Sequence, residues 1–231
     1  MTQAVNTRAI MLARINFGEA DRILTVQTPG QGKRRLMAKG VRKQKSKLAG
    51  GIELFCVSDI SYIPGRSDID TLISTRLHKH YGNIVGDVKR TMLGYELLKR
   101  LNKATEDAAG EEYFKILEHT LAGLDDGDLS LELVELWFNA QLLKAGGHQP
   151  NLRTDTSGQK LAETQNYSLD VDSMIFAPAE KGRYKAAHIK LLRLVFGSDN
   201  PLPLKNVQST ERVLPATKQL VGAMLTAHVR I

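Results

Sequence analysis

Cysteine is nearly missing from this 231-residue chain: Cys56 stands alone, so no intramolecular disulfide forms and no cysteine-based zinc site exists. Long apolar runs are missing too. Near the N-terminus, Ala9–Ala13 is bounded by Arg8 and Arg14, too short for the hydrophobic region of a signal peptide, and nowhere do eighteen apolar residues run together. A soluble, cytoplasmic protein with no membrane contact is expected. There is no Walker A pattern, no G-x-S-x-G, no H-E-x-x-H and no dinucleotide fingerprint. Ser46 and Ser61 have no neighbouring base, so no catalytic constellation is seen and no enzyme is expected. Internal repeats and low-complexity tracts are also lacking.

Acidic residues are absent from one stretch in particular. Between Lys33 and Lys47 lie Lys33, Arg34, Arg35, Lys39, Arg42, Lys43, Lys45 and Lys47, with no Asp or Glu. The first fifty residues hold eleven Lys/Arg against Glu19 and Asp21, a net +9, while the remainder holds twenty-one against twenty-three, a net −2. The positive field therefore belongs to one end, as in a nucleic-acid-binding module. A merely solvated basic loop is the competing interpretation, and the strands around the run favour the functional one. These eight residues are the candidate nucleic-acid-binding set. The loop is almost free of aromatics, so base stacking falls to Phe17, Phe55, Tyr62 or Tyr81, and contact with the phosphate backbone outweighs sequence readout.

Up to about residue 80 the pattern predicts strands: Ala9–Ile15, Ile23–Val26, Arg35–Ala38, Ile52–Tyr62 and Ile69–Arg76. Turns fall at Phe17–Ala20, Pro29–Gly32 and Pro64–Asp68. Five short strands at this spacing suggest a small barrel of the oligonucleotide-binding (OB) type, whose loops and one face hold single strands. Past residue 85 the period becomes helical. Helices are predicted over Val88–Lys103, Glu111–Leu124, Leu129–Ala145, Tyr184–Phe196 and about Ser209–Val229, with Asp128 and Ser130 as candidate caps and Gly146-Gly147 as a stop. Residues 148–184 are polar, with a short strand or hairpin around Tyr167–Phe176. The fold class is thus α+β, an OB barrel over residues 1–82 followed by a mainly helical domain over 83–231.

Two clusters invite a metal reading. His78 and His80 lie near Asp68 and Asp70 but lack a well-spaced third ligand. Asp125, Asp126, Asp128, Glu132 and Glu135 sit at a helix start, where the macrodipole already favours negative charge. Neither is taken as a metal site. The apolar Trp137-Phe138 helix reads as a core helix rather than a partner groove.

Phe17-Gly18-Glu19-Ala20-Asp21-Arg22-Ile23-Leu24, then Thr28-Pro29-x-x-Gly32-Lys33, then Ala38-Lys39-Gly40-Val41-Arg42-Lys43-x-Lys45-Ser46-x-Leu48 resemble the N-terminal signature of the RecO family of bacterial DNA repair proteins. The resemblance implies an OB-fold first domain, a helical second domain, no enzymatic site and no cofactor. It also implies a recombination mediator that binds single- and double-stranded DNA and anneals complementary strands. With RecR, such a protein helps RecA load onto DNA coated by single-strand binding protein, whose acidic, apolar-ended tail is a further partner. The basic residues of the later helices, Lys185, Lys190, Arg193, Lys218 and Arg230, are the candidates for that tail. Nucleoid association follows from the same resemblance. Many members carry a zinc module with Cys-x-x-Cys-Gly. Here Pro150-Asn151-Leu152 leads to Thr154-Asp155-Thr156-Ser157-Gly158, with hydroxyls in place of thiols, so zinc is expected to be absent. That region is then held by packing among Tyr167, Leu169, Met174 and Phe176. An OB-fold nuclease and an RNA-binding factor are the alternatives from other functional classes.

Overall fold

The computed structural model describes residues 3–66, 68–105, 110–207 and 210–230. Two compact units are present, residues 1–127 and 128–231. The first begins with β1 (Val5–Phe17), β2 (Asp21–Thr28), β3 (Gly32–Ala38), β4 (Cys56–Ile63) and β5 (Ile69–His80), closed into a barrel in the order β1-β2-β3-β5-β4. All pairings are antiparallel except β3 with β5, a short parallel run from Arg35 opposite Ile69 to Met37 opposite Thr71. This is the OB-type barrel expected from the strand pattern. Alternate residues fill its interior: Ala9, Met11, Leu24, Val26, Leu36, Ala38, Ile60 and Leu72, plugged by Val41 and Ile52 from the β3–β4 connection. Each of the larger side chains among them, the Leu, Ile, Val and Met residues, contributes about 1.5–3 kcal/mol on full burial.

Helices α1 (Gly82–Val85), α2 (Val88–Ala104) and α3 (Glu111–Asp125) belong to the same unit as the barrel. Asp87 caps α2, accepting from the Arg90 amide at 2.9 Å. The barrel strands end at His80, whereas the compact unit runs on to Gly127, with α2 packed on β1 and α3 on β1 and β2.

The second unit is built around α4 (Leu131–Ala145), which is buried over most of its circumference, including Trp137 and Phe138. A three-stranded sheet of β6 (Asn151–Asp155), β7 (Tyr167–Asp170) and β8 (Ile175–Pro178) follows, in the order β6-β8-β7. The unit closes with α5 (Ala186–Gly197) and α6 (Leu214–His228), Pro215 occupying the first turn of α6. Ser67 and Ser209, placed by the sequence reading in a turn and at a helix start, lie outside the described residues. Among the described residues no helix is long and apolar enough to cross a membrane.

Three expectations need correction. The strand predicted from Ile52 begins at Cys56, because Phe55 adopts a left-handed φ of 60° and interrupts it. Strand β1 starts at Val5, its polar Asn6 and Arg8 facing outward between half-buried neighbours. The polar segment 148–184 is more ordered than read: the hairpin expected around Tyr167–Phe176 forms as β7 and β8, and β6 extends it to a sheet by pairing in parallel with β8.

Candidate nucleic-acid interface

The basic β3–β4 loop is held against the β1–β2 turn. Asp21 Oδ1 accepts from the Gly40 amide at 2.6 Å, and the carbonyl of Ala20 accepts from the Arg42 amide at 2.9 Å. The Arg42 guanidinium reaches back to the Gly18 carbonyl at 3.3 Å. Gly18 (φ 56°) and Gly40 (φ 63°) supply the left-handed conformations that both bends require. Val41, 4% exposed, anchors the loop in the barrel core, and Lys43 and Ser46 continue it as tight turns through Lys43 N–Gly40 O at 3.1 Å and Ser46 N–Lys43 O at 3.0 Å. The result is a fixed arch from which Lys39, Arg42, Lys43, Lys45 and Lys47 stand exposed.

The remaining three predicted residues lie on β3. Arg35 points outward and is exposed. Lys33 Nζ instead donates to the carbonyls of Asn102 (2.9 Å) and Thr105 at the end of α2. Arg34 donates Nε and Nη2 to Asp70 Oδ2 at 2.9 and 2.7 Å, and Asp70, only 1% exposed, also accepts from the Gly65 amide through Oδ1 at 2.9 Å. Lys33 and Arg34 are thus framework residues. With Thr25, Gln31, Arg35, Asp68 and Asn102 they line a cleft of about 640 Å³. The Arg34 guanidinium also stands 6.0 Å from the Tyr62 ring centre. Burial pushes the Tyr62 phenol up, with the Arg34 charge opposing.

Of the aromatic stacking candidates, Phe55, Tyr62 and Tyr81 are each 1% exposed and belong to the core. Phe55 packs so closely on Gly94 that a Cβ there would lie 2.6 Å from its ring. Tyr81 donates to the Glu118 carbonyl at 3.3 Å, and burial pushes its phenol up. Only Phe17 remains available, at the end of β1 beside the arch. The sequence reading missed an aliphatic group next to it. Ile15 lies opposite Ile23, and Ile23 opposite Met37, in the outward phase that alternates with the core residues Leu24 and Leu36. In sequence each stands alone among polar residues of its phase, Ile23 with Asp21, Thr25 and Gln27 and Met37 with Lys33 and Arg35, so only the strand register brings them together.

The other clusters resolve into ion pairs. His78 Nδ1 lies 3.4 Å from Asp59 rather than near Asp68 or Asp70. Glu135 and Glu132 flank Lys218 at 3.0 and 3.4 Å. Among the described residues no group of three or more His, Cys, Asp or Glu side chains is placed to hold a metal. In the second unit, Lys190 pairs with Glu163 at 2.6 Å, and that contact holds the exposed Glu163 carboxyl below its usual range. Arg193 donates to the Leu152 carbonyl at 2.7 Å, tying α5 to β6. Lys185 is the N-cap of α5, and both it and Arg230 are exposed.

Residues 1–81 match the family model described as recombination protein O, N terminal, and residues 91–231 match that of recombination protein O, C terminal. The chain is 33% identical over 202 residues to the DNA repair protein RecO of Dehalococcoides mccartyi strain 195, covering 84% of this chain and 79% of that one. Identity to the DNA repair protein RecO of Roseiflexus sp. strain RS-1 is 33% over 237 residues, covering 97% and 79%. For the DNA repair protein RecO of D. mccartyi strain CBDB1 it is 36% over 163 residues, covering 70% of this chain and 64% of the relative.

Proposed function

This chain belongs to the recombination protein O (RecO) family, and from that membership we propose that it is a non-enzymatic mediator of recombination in DNA repair. It binds single- and double-stranded DNA through the barrel and anneals complementary strands. With RecR it assists RecA in loading onto single strands coated by single-strand binding protein, acting in the cytosol on nucleoid DNA. The observation that carries the DNA-binding half is the arch: five exposed cations held in fixed geometry, with Arg35 exposed on the adjoining strand. A pre-ordered cationic surface binds a polyanion without first losing loop entropy. The acidic tail of single-strand binding protein docks on the second unit near Lys185, Lys190, Arg193, Lys218 and Arg230. There the exposed Lys190–Glu163 pair contributes little and exchanges readily for a partner carboxylate.

Fluorescence anisotropy of the full chain with labelled oligonucleotides tests the DNA-binding half. Replacing Arg42, Lys43, Lys45 and Lys47 together by Ala should flatten the plot of log affinity against log salt by about 0.7 per lost contact on single strands and about 0.9 on duplex. An unchanged slope would refute the assignment. Annealing of strands precoated with single-strand binding protein, with and without RecR, tests the mediator half. Lys190→Glu with Arg193→Glu should abolish capture of a labelled tail peptide and leave bare-DNA affinity unchanged.

A further inference from the structure

We propose that the free edge of β5, Arg76–His80, docks an extended acidic segment of a partner protein, which adds to the barrel as a further strand. Strand β3 pairs with β5 only from Ile69 to Thr71, whereas β4 accompanies β5 from Thr71 to His80. Past Thr71 no strand covers the other side of β5 among the described residues. Gly51 closes on it as far as Thr75, whose hydroxyl donates to the Gly51 carbonyl at 2.9 Å. Beyond that point Arg76, Leu77, His78, Lys79 and His80 are all exposed. Among the described residues their backbone makes no hydrogen bond outside the β4 ladder. Five residues give an edge roughly 17 Å long. In an antiparallel pair about every second residue turns its N–H and C=O away from the partner, so this edge presents unmet donors and acceptors at the spacing of a strand.

The side chains along the edge select the occupant. A bulge at His78 keeps Arg76 and Lys79 on one face: they oppose Asp59 and Val57, two residues apart on β4, while Leu77 opposes Ser58 and lies on the other face. No Asp or Glu lies between Asp70 and Asp87. Asp59 meets this edge from β4, opposite Arg76 and 3.4 Å from His78 Nδ1. On the face that carries Arg76 opens a cavity of about 420 Å³, with Arg8, Asp59, Ser61, Ser74 and Arg76 among its lining, room for an incoming carboxylate side chain. A partner strand of alternating acidic and apolar residues meets every feature at once. Its backbone completes the ladder, its carboxylates meet Arg76 and Lys79, and its apolar phase covers Leu77, which is 45% exposed. A second copy of this chain fits badly, because antiparallel self-pairing would crowd two Arg76–Lys79 clusters together. Nucleic acid offers charge but no amides, and would leave the edge unpaired. The site uses none of the arch cations and none of those assigned above to the tail of single-strand binding protein.

The test uses the full chain and three labelled peptides of equal length, read by anisotropy: a Glu-Val repeat, the same repeat N-methylated at alternate amides, and a Lys-Val repeat. The wild type should bind the Glu-Val repeat about ten-fold tighter than its N-methylated form, since methylation removes ladder donors and keeps the charge. Arg76→Glu with Lys79→Glu should reverse the preference, weakening the Glu-Val repeat and capturing the Lys-Val repeat, a gain that only a folded variant can show. Lys190→Glu with Arg193→Glu should leave Glu-Val binding as in the wild type. A wild type that ignores the Glu-Val repeat would overturn the proposal, and so would equal binding of the methylated form, which would reduce the contact to charge alone. Glu-Val binding that survives the β5 charge reversal, or that is lost in the Lys190 and Arg193 variant instead, would place the peptide elsewhere. Self-association of the wild type that the β5 reversal abolishes would assign the edge to a second copy and overturn the acidic partner.

Discussion

The carboxylate of Asp21 accepts a 2.6 Å hydrogen bond from the backbone amide of Gly40, across the mouth of the barrel. One of the few acidic residues at the basic end thereby orders the loop that carries most of the cations. On the proposed function its charge would oppose DNA while its geometry would favour DNA, and the two effects predict opposite signs for one substitution. Asp21→Ala removes a negative charge, which by long-range electrostatics alone should raise affinity. It also frees Gly40 and the loop, whose ordering entropy is about 1–2 kcal/mol per residue. The expected outcome is a several-fold loss of affinity in anisotropy, with Asp21→Asn intermediate because its amide oxygen still accepts the bond. Tighter binding by the Ala variant would show that loop order is irrelevant.

Arg34 and Asp70 make a second link, across the short parallel pairing that closes the barrel. Asp70 is buried, takes both Arg34 nitrogens on Oδ2 and holds the Gly65 amide on Oδ1. Asp70→Ala leaves an arginine and an amide without their acceptor at the closure. Unfolding in urea should register a loss on the order of 2–3 kcal/mol. A change within about 0.5 kcal/mol, the range of ordinary surface substitutions, would mean that closure does not depend on the pair.

Strand number, the switch to helical period near residue 85 and the core character of α4 were legible because each rests on local patterning: alternation in β2 and β3, Pro29–Gly32 as a turn, an apolar run around Trp137. What was not legible depends on facing. Nothing in the composition separates Phe17, left outside, from Phe55, Tyr62 and Tyr81, which are buried by neighbours distant in sequence. Likewise Lys33 and Arg34 read as two more cations of the run. Only the packing of α2 and β5 on β3 shows that they are tied to Asn102, Thr105 and Asp70. The β6–β8 pairing escaped because strands this short carry little periodic signal and their partners are not neighbours in the chain.

A turn centred on Asp155 occupies Thr154–Gly158, the segment that the sequence resemblance set against a zinc motif. Its Oδ1 accepts from the amides of Ser157 (2.8 Å) and Gln159 (3.0 Å), and Gly158 (φ 77°) completes the bend. Gly182 is locked nearby, since a Cβ there would stand 2.6 Å from the Tyr167 backbone. Hydrogen bonds and packing thus order this segment. A chelator should leave the melting temperature unchanged, whereas Asp155→Ala should lower it by several degrees, a loss of about 1–3 kcal/mol. A chelator-induced drop would reveal a metal and refute this account.

His188 makes the second unit sensitive to acid. Burial at the start of α5 holds its imidazole below the usual range, and the nearby Arg183 and Lys185 charges act in the same direction. Its Nδ1 accepts from the Lys185 amide at 3.1 Å, which a ring protonated at that nitrogen cannot do. The folded state therefore prefers neutral His188, while the unfolded chain takes up a proton near the ordinary histidine value of about 6.5. Above that pH the contribution to stability is fully present. It is lost as pH falls from there through the lower folded value, because the unfolded state then binds more protons. Between pH ~7.5 and ~5.5, a window bracketing the unfolded value, the melting temperature of the wild type should fall more steeply than that of His188→Gln, which cannot titrate. Parallel curves for the two proteins would place the acid sensitivity elsewhere.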